Sequence, residues 1–364
     1  MRKVLALLSF AIISVSGANA QDDVRNIIYM IGDGMGLASV SMMQLENNFE
    51  TTIFDRADNV ALTKTYSADN RVTDSAASGT ALSSGVKTNN TYIGVDKDGK
   101  SLFSVAELAA MRGMPTGVVV TTYLQHATPA AFYAHCLSRH DSATITRQLV
   151  ESDMDVAVGG GMAFFREVYG DNECVEEALH DVGFDLVQSM AELEAVDGDS
   201  RVMALLADKE VGADSGDYLA DATNEALRLL EARSNGKGFF LMVEGSLIDG
   251  MGHANDAEAM QREMEGFMAA VEVAVMYAEQ NPGTLVVVTA DHETGGLSIV
   301  SNDADFNLSE QGVSYSFATK GHSASMVPVY LYGTGAERIN GVMENSELGA
   351  KIKSIVDNGS VEAL

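Results

Sequence analysis

The chain has 364 residues, 46% of them apolar and 21% charged, enough apolar material for a large globular core. Acidic residues outnumber basic ones 52 to 23, a formal charge of −29, the wrong sign for a general nucleic-acid binder or for docking on anionic lipid. Two cysteines exclude a disulfide-stapled scaffold and a four-cysteine zinc site.

Arg2 and Lys3 precede an apolar run that ends before Ala18-Asn19-Ala20. This is the layout of a cleaved secretory signal peptide over residues 1–20, and the run is short for a bilayer span. Residues 21–364 are then expected to form a single domain, periplasmic or secreted, with no membrane anchor. In an oxidising compartment Cys136 and Cys174 could pair or stand as separate thiols.

Short apolar runs predict strands over 26–31, 117–121, 155–158, 239–243, 284–289 and 327–332. Helical patterns fall over 75–84, 102–112, 141–152, 172–182, 218–233, 256–279 and 346–358. Runs such as Leu285-Val286-Val287-Val288 suit strands buried on both faces. The alternation predicts an α/β fold, a mostly parallel central sheet flanked by helices on both faces. Ligands in such folds bind beyond the carboxyl ends of the strands.

Polar residues gather at those ends. Gly32-Asp33-Gly34-Met35-Gly36 follows the first strand, without the spacing of a dinucleotide fingerprint. Glu244, Asp249 and His253 follow the 239–243 run, Asp291 and His292 follow 284–289, and Gly321-His322 precedes 327–332. Imidazole and carboxylate suit zinc, and carboxylate with hydroxyl suits magnesium. Carboxylates clustered in a dry cleft without cations would cost several kcal/mol per uncompensated charge, roughly. Earlier, Thr73-Asp74-Ser75-Ala76-Ala77-Ser78 runs into a small-residue helix, placing Ser75 where backbone N–H groups favour an anion. Gln125-His126-Ala127-Thr128-Pro129-Ala130-Ala131 follows the 117–121 strand, with Arg139 beyond it.

With these motifs in order, the chain resembles the alkaline phosphatase family, as a compact secreted bacterial member, from Ile27 to about Tyr332. The resemblance implies that Ser75 is the nucleophile and becomes phosphorylated, and that Arg139 clamps two phosphate oxygens. It implies one zinc on Asp249, His253 and His322, and a second on Asp33, Asp291 and His292. It implies a magnesium bridged through Asp33 and completed by Thr128 and Glu244, with Asp74 supporting Arg139. Such a site would hydrolyse small phosphate monoesters by in-line attack of a zinc-activated serine, and zinc-bound water would then release the phosphoserine. The family is usually homodimeric. His126 stands where some members carry Asp, and Gly250 where relatives often carry Lys, His or Trp. A phosphodiesterase of the same superfamily, or a secreted metal- or phosphate-binding protein without catalysis, are the alternatives. Gly159-Gly160-Gly161 reads as backbone packing. His135 and Glu293 have no assigned chemistry. Asn89-Asn90-Thr91, Asn307-Leu308-Ser309 and Asn358-Gly359-Ser360 match glycosylation sequons.

Overall fold

The computed structural model describes residues 24–212, 216–302 and 312–358. The expected signal peptide over 1–20 and the 307–309 sequon lie outside these residues, as does most of the 358–360 sequon.

Ten strands among the described residues form one sheet: β1 (Asn26–Gly32), β2 (Asn59–Lys64), β3 (Thr116–Tyr123), β4 (Val156–Gly160), β5 (Phe184–Val187), β6 (Arg201–Leu205), β7 (Phe240–Gly245), β8 (Thr284–Thr289), β13 (Val327–Gly333) and β14 (Gly341–Glu344). Between β8 and β13, β9 (Glu293–Thr294) pairs with β12 (His322–Ser323), and β10 (Leu297–Ser301) with β11 (Val313–Phe317). The sheet order is β14-β2-β13-β8-β1-β7-β3-β4-β6-β5, and β13 alone runs antiparallel to its neighbours. All six strands expected from the apolar runs are present. The four that the sequence did not betray, β2, β5, β6 and β14, lie toward the two sides of the sheet.

The pleat splits the core into two layers. Ile27, Tyr29 and Ile31 of β1 pack with Phe240, Met242, Leu285 and Val287 under the helices Ser75–Ser84, Val105–Met111 and Asn345–Asn358. Ile28 and Met30 face the other way with Leu241, Val243, Val286 and Val288, under the helices Tyr218–Arg233 and Ala257–Gln280. Each such fully buried aliphatic side chain contributes about 1.5–3 kcal/mol. The helix expected over 102–112 is shorter because Ser104 and Glu107 form a capping box that fixes its start at Val105. The helix Leu37–Glu46 was not anticipated; its sequence has little amphipathic contrast.

Register brings the site together. Ile31 of β1 lies beside Glu244 of β7 and Thr289 of β8, and Val120 of β3 lies on the far side of Glu244. Val329 of the reversed β13 lies beside Thr289, so β13 starts at the edge where β1, β7 and β8 finish. The triple glycine is packing, as expected: a Cβ on Gly160 would lie 1.5 Å from the Lys209 carbonyl oxygen. Cys136 and Cys174 are both free, the first half-buried and the second exposed. No helix among the described residues is long and apolar enough to cross a membrane.

Candidate metal and phosphate site

Asp33 follows β1, Glu244 is the penultimate residue of β7, Asp291 and His292 follow β8, and Thr128 sits in the short helix Ala127–Ala130 beyond β3. Asp249 and His253 lie one turn apart on the helix Leu247–Ala254, and His322 opens β12. Gly34 has a left-handed backbone (φ 75°), and a Cβ there would sit 2.8 Å from the Asp249 Cα. Glycine therefore lets the Asp33 turn close on the Asp249 helix.

Six of these side chains, with His126, form three overlapping groups, the ligating atoms of each lying within 4.8 Å of one another: Asp249, His292 and His322; Asp33, Asp291 and His292; and Asp33, His126 and Glu244. His292 Nε2 is 3.5 Å from Asp33 Oδ1 and 3.2 Å from Asp291 Oδ2. His322 Nε2 is 3.5 Å from Asp249 Oδ1, and His253 Nε2 is 3.2 Å from Asp249 Oδ2. Two features differ from the expected partition. His292 stands in two groups rather than one, its ring stacked 3.6 Å from that of His322. His253 sits at the exposed rim, touching Asp249 while its ring centre is 5.1 Å from that of His322.

The donor set fits cations. Both carboxylate oxygens of Asp33, Oε1 of Glu244, Oδ2 of Asp291, Oγ1 of Thr128 and Nδ1 of His126 are buried without a hydrogen-bond partner. Buried polar atoms in proteins are nearly always paired, so the five orphans on the grouped residues Asp33, Glu244, Asp291 and His126 mark a site built for something else. Burial, then the charges of Asp291, Asp249 and Glu244, push the Asp33 carboxyl well above its usual range. Burial and Asp249 push Asp291 up to about 6. Burial would raise Asp249 too, but the His253 hydrogen bond and the imidazoles of His292 and His322 outweigh it and hold Asp249 below its usual range. His253, hydrogen-bonded to Asp249, rises to about 9. Bound cations would relieve the crowding of the three buried carboxylates.

The imidazoles are oriented from behind. His253 Nδ1–H donates to the Lys320 carbonyl at 2.6 Å, and His322 Nδ1–H to the Thr73 carbonyl at 2.8 Å. Each therefore presents Nε2 to the cleft, as metal-binding histidines commonly do.

Ser75 opens the helix Ser75–Ser84. Its Oγ is buried and 3.2 Å from His292 Nε2. Asp74 before it does three things. Oδ1 accepts from Ala77 N–H as the helix cap, and Oδ2 accepts from Thr91 N–H and from Arg139 Nη1 at 3.3 Å. Arg139 N–H in turn donates to the Thr91 carbonyl at 2.8 Å. Thr91 has φ 71°, a costly conformation for a β-branched residue, held by these two bonds. The structure thus joins the ligand groups to Ser75 through His292 and to Arg139 through His126, with His253 on Asp249, while Thr128 is buried with an unpartnered hydroxyl. It adds Thr91, for which the sequence carries no cue, and gives His126, already noted in the sequence, a contact with Arg139. Glu293 is buried and structural: it accepts hydrogen bonds from Leu297 N–H and Ser323 Oγ.

The alkaline phosphatase family model matches residues 24–312. Alkaline phosphatase 4 of Bacillus subtilis is 39% identical over 308 residues, covering 79% of this chain and 66% of the relative, so this chain spans about two thirds of that protein's length. Alkaline phosphatase of Escherichia coli is 31% identical, covering 91% of this chain and 85% of its own. Among solved structures, the alkaline phosphatase of the Antarctic bacterium TAB5 superposes with a TM-score of 0.83 at 35% identity, covering 93% of this chain and 99% of that one. A variant of that enzyme, solved with Mg bound in its M3 site, gives 0.84 at 34% identity over the same shares. The chain belongs to the alkaline phosphatase family and shares the fold of its metal-dependent phosphatases.

Proposed function

We propose that this chain hydrolyses small phosphate monoesters through a phosphoserine on Ser75, with two zinc ions and one magnesium ion as cofactors. One observation carries the reading. The buried Ser75 hydroxyl sits at a helix N-terminus, beside the shared ligand His292, with Arg139 braced by Asp74 on the same turn.

The imidazole–carboxylate groups suit zinc: Asp249, His253 and His322 on one side, Asp33, Asp291 and His292 on the other. Asp33, Glu244 and Thr128 offer oxygen donors suited to magnesium. The magnesium in a TAB5 variant supports that cofactor here. When bound, the metals supply Lewis-acid stabilisation of the oxygens that attack and leave, and they favour the deprotonated serine. The chain's own residues do the rest. Arg139 offers its planar fork to non-bridging phosphate oxygens, and Asp74 holds that fork in place. Helix N–H groups behind Ser75 add positive potential. Phosphoryl transfer is mainly a matter of positioning and charge, so this preorganisation carries much of the rate.

A serine–histidine base would start from the same 3.2 Å contact. His292, however, is pushed well below its ordinary pKa by burial and by His322, which makes it a weak proton acceptor. Behind it stands Thr294, not a carboxylate. A metal-ligand role fits His292 better.

A periplasmic or secreted location follows from the 1–20 segment and is tested by sequencing the mature N-terminus. The enzymatic reading is tested with a chromogenic aryl phosphate at alkaline pH. Metal-replete protein is expected to turn over, and chelation or Ser75→Ala to reduce the rate by about 10³-fold or more. The matching diester should react far more slowly, because it offers Arg139 fewer free oxygens. Wild-type turnover by Ser75→Ala contradicts the nucleophile. Faster turnover of the diester favours the diesterase, and no turnover by replete protein favours the binding protein.

A further inference from the structure

Thr294 is fully buried and lies two residues after His292. Its hydroxyl donates to Asp249 Oδ1, the oxygen that faces His322 Nε2. With that proton committed, the oxygen can only accept from His292 Nδ1–H, 3.1 Å away. Its backbone N–H donates to the Gly34 carbonyl at 3.1 Å, next to Asp33, and its strand partner in the β9–β12 pair is His322. One residue thus touches the ligand-bearing segments of both imidazole–carboxylate groups. No other side chain carries a hydrogen bond to His292 Nδ1 among the described residues.

We infer that Thr294 is a positioning residue that sets two metal ligands at once: it fixes His292 in the tautomer that leaves Nε2 free, and it holds Asp249 Oδ1 toward His322. This inference rests on the metal assignment proposed above. A hydroxyl is needed because it alone can donate on one side and accept on the other. Valine has the same shape and can do neither, leaving a buried Nδ1–H and a carboxylate oxygen each short of a partner. The shared hydroxyl couples the two groups, so its loss should weaken both zinc ions rather than one.

The test is zinc affinity measured by competition with a chromogenic chelator, backed by the visible spectrum of the cobalt(II) form, on full-length wild type, Thr294→Val, Thr294→Ala and Thr294→Ser. The metal-free melting temperature of each variant serves as the structural control. The valine and alanine variants are expected to lose 10- to 100-fold in affinity at both zinc sites, the magnitude usual for a residue behind a ligand, and to shift the cobalt bands. Serine keeps the hydroxyl and should restore affinity and spectrum. Wild type that binds no zinc overturns the metal assignment and this inference together. Wild type that binds zinc while valine and alanine bind within twofold of it overturns this inference alone. So does a serine variant as weak as valine, which would show that the hydroxyl alone does not hold the two ligands.

Discussion

His126 and Arg139 meet directly: Nε2 of the imidazole lies 3.1 Å from Nη2 of the guanidinium. Arginine can only donate, so Nε2 must supply the lone pair and a neutral His126 carries its proton on Nδ1. That nitrogen faces Asp33 Oδ2 and Glu244 Oε1, each 3.9 Å away. A cation that took Nδ1 as a ligand would need the lone pair there and would move the proton to Nε2, toward Arg139. His126 can serve Arg139 or a nitrogen-seeking metal, but not both.

Excess zinc in the absence of magnesium is therefore expected to raise the KM for an aryl phosphate by roughly fivefold, the worth of one hydrogen bond. Added magnesium, satisfied by the oxygen donors, should reverse it. In His126→Ala the KM should be raised already and should not respond to the zinc-to-magnesium ratio. A wild-type KM indifferent to that ratio contradicts the exclusion.

Asp74 combines a helix cap with the brace on Arg139, and two substitutions separate these roles. Asp74→Asn keeps an oxygen for Ala77 N–H but removes the charge, so stability should hold within about 0.5 kcal/mol while KM rises. Asp74→Ala removes both and should cost about 1–2 kcal/mol in addition. Denaturant melts and steady-state kinetics on the two variants decide it; equal stability of both would remove the capping role.

Gly250 follows Asp249, and a Cβ built on it meets nothing within 4 Å. Gly250→Lys is therefore expected to fold normally and to gain up to about 1 kcal/mol from the loss of a helical glycine. It places an ammonium beside the site and should tighten inhibition by inorganic phosphate. Unchanged KM and phosphate inhibition would show that the added cation does not reach the bound phosphate.

Away from the site, His135 joins two segments: one ring nitrogen binds the Gly94 carbonyl at 2.7 Å and the other Glu107 Oε1 at 2.9 Å. The Glu107 hydrogen bond raises His135 above its ordinary 6.5 despite burial. Burial lifts Glu107, but bonds from His135 and Ser104 N–H outweigh it and leave Glu107 below its ordinary 4.5. The histidine's contribution is complete below 6.5 and is lost as pH rises through its raised value. The glutamate's is complete above 4.5 and is lost as pH falls through its lowered one. The melting-temperature gap between wild type and Glu107→Gln should thus be widest between 4.5 and 6.5 and narrow at alkaline pH. Glutamine can keep the capping box, so a gap constant with pH would show that the ion pair adds nothing.

The sequence carried the central strands because they are buried on both faces and read as unbroken apolar runs, as in Leu285–Val288. β2 and β14 escaped because only two residues of β2 and one of β14 are buried, and their apolar stretches are correspondingly broken. Asp33, Glu244, Asp291 and His292 were legible as polar residues at strand ends, where the topology concentrates chemistry, whereas Thr128, Asp249 and His253 lie on the helices that follow and entered as ligands through the family resemblance. Contacts between side chains far apart in the chain were not. Nothing in the spacing of Thr294 and Asp249, or of Asp74 and Thr91, reveals that they bond. The sharing of His292 by two groups likewise depends on ring orientation, which Thr294 sets.

The most direct test of the account is to quench the metal-loaded protein in acid during turnover of a phosphate monoester and to locate the phosphoryl group by peptide mass spectrometry. Phosphate on Ser75 of the wild type, absent from Ser75→Ala and from chelated protein, is the predicted result. Turnover with no phosphopeptide at any quench time, or with the group on another residue, would contradict it.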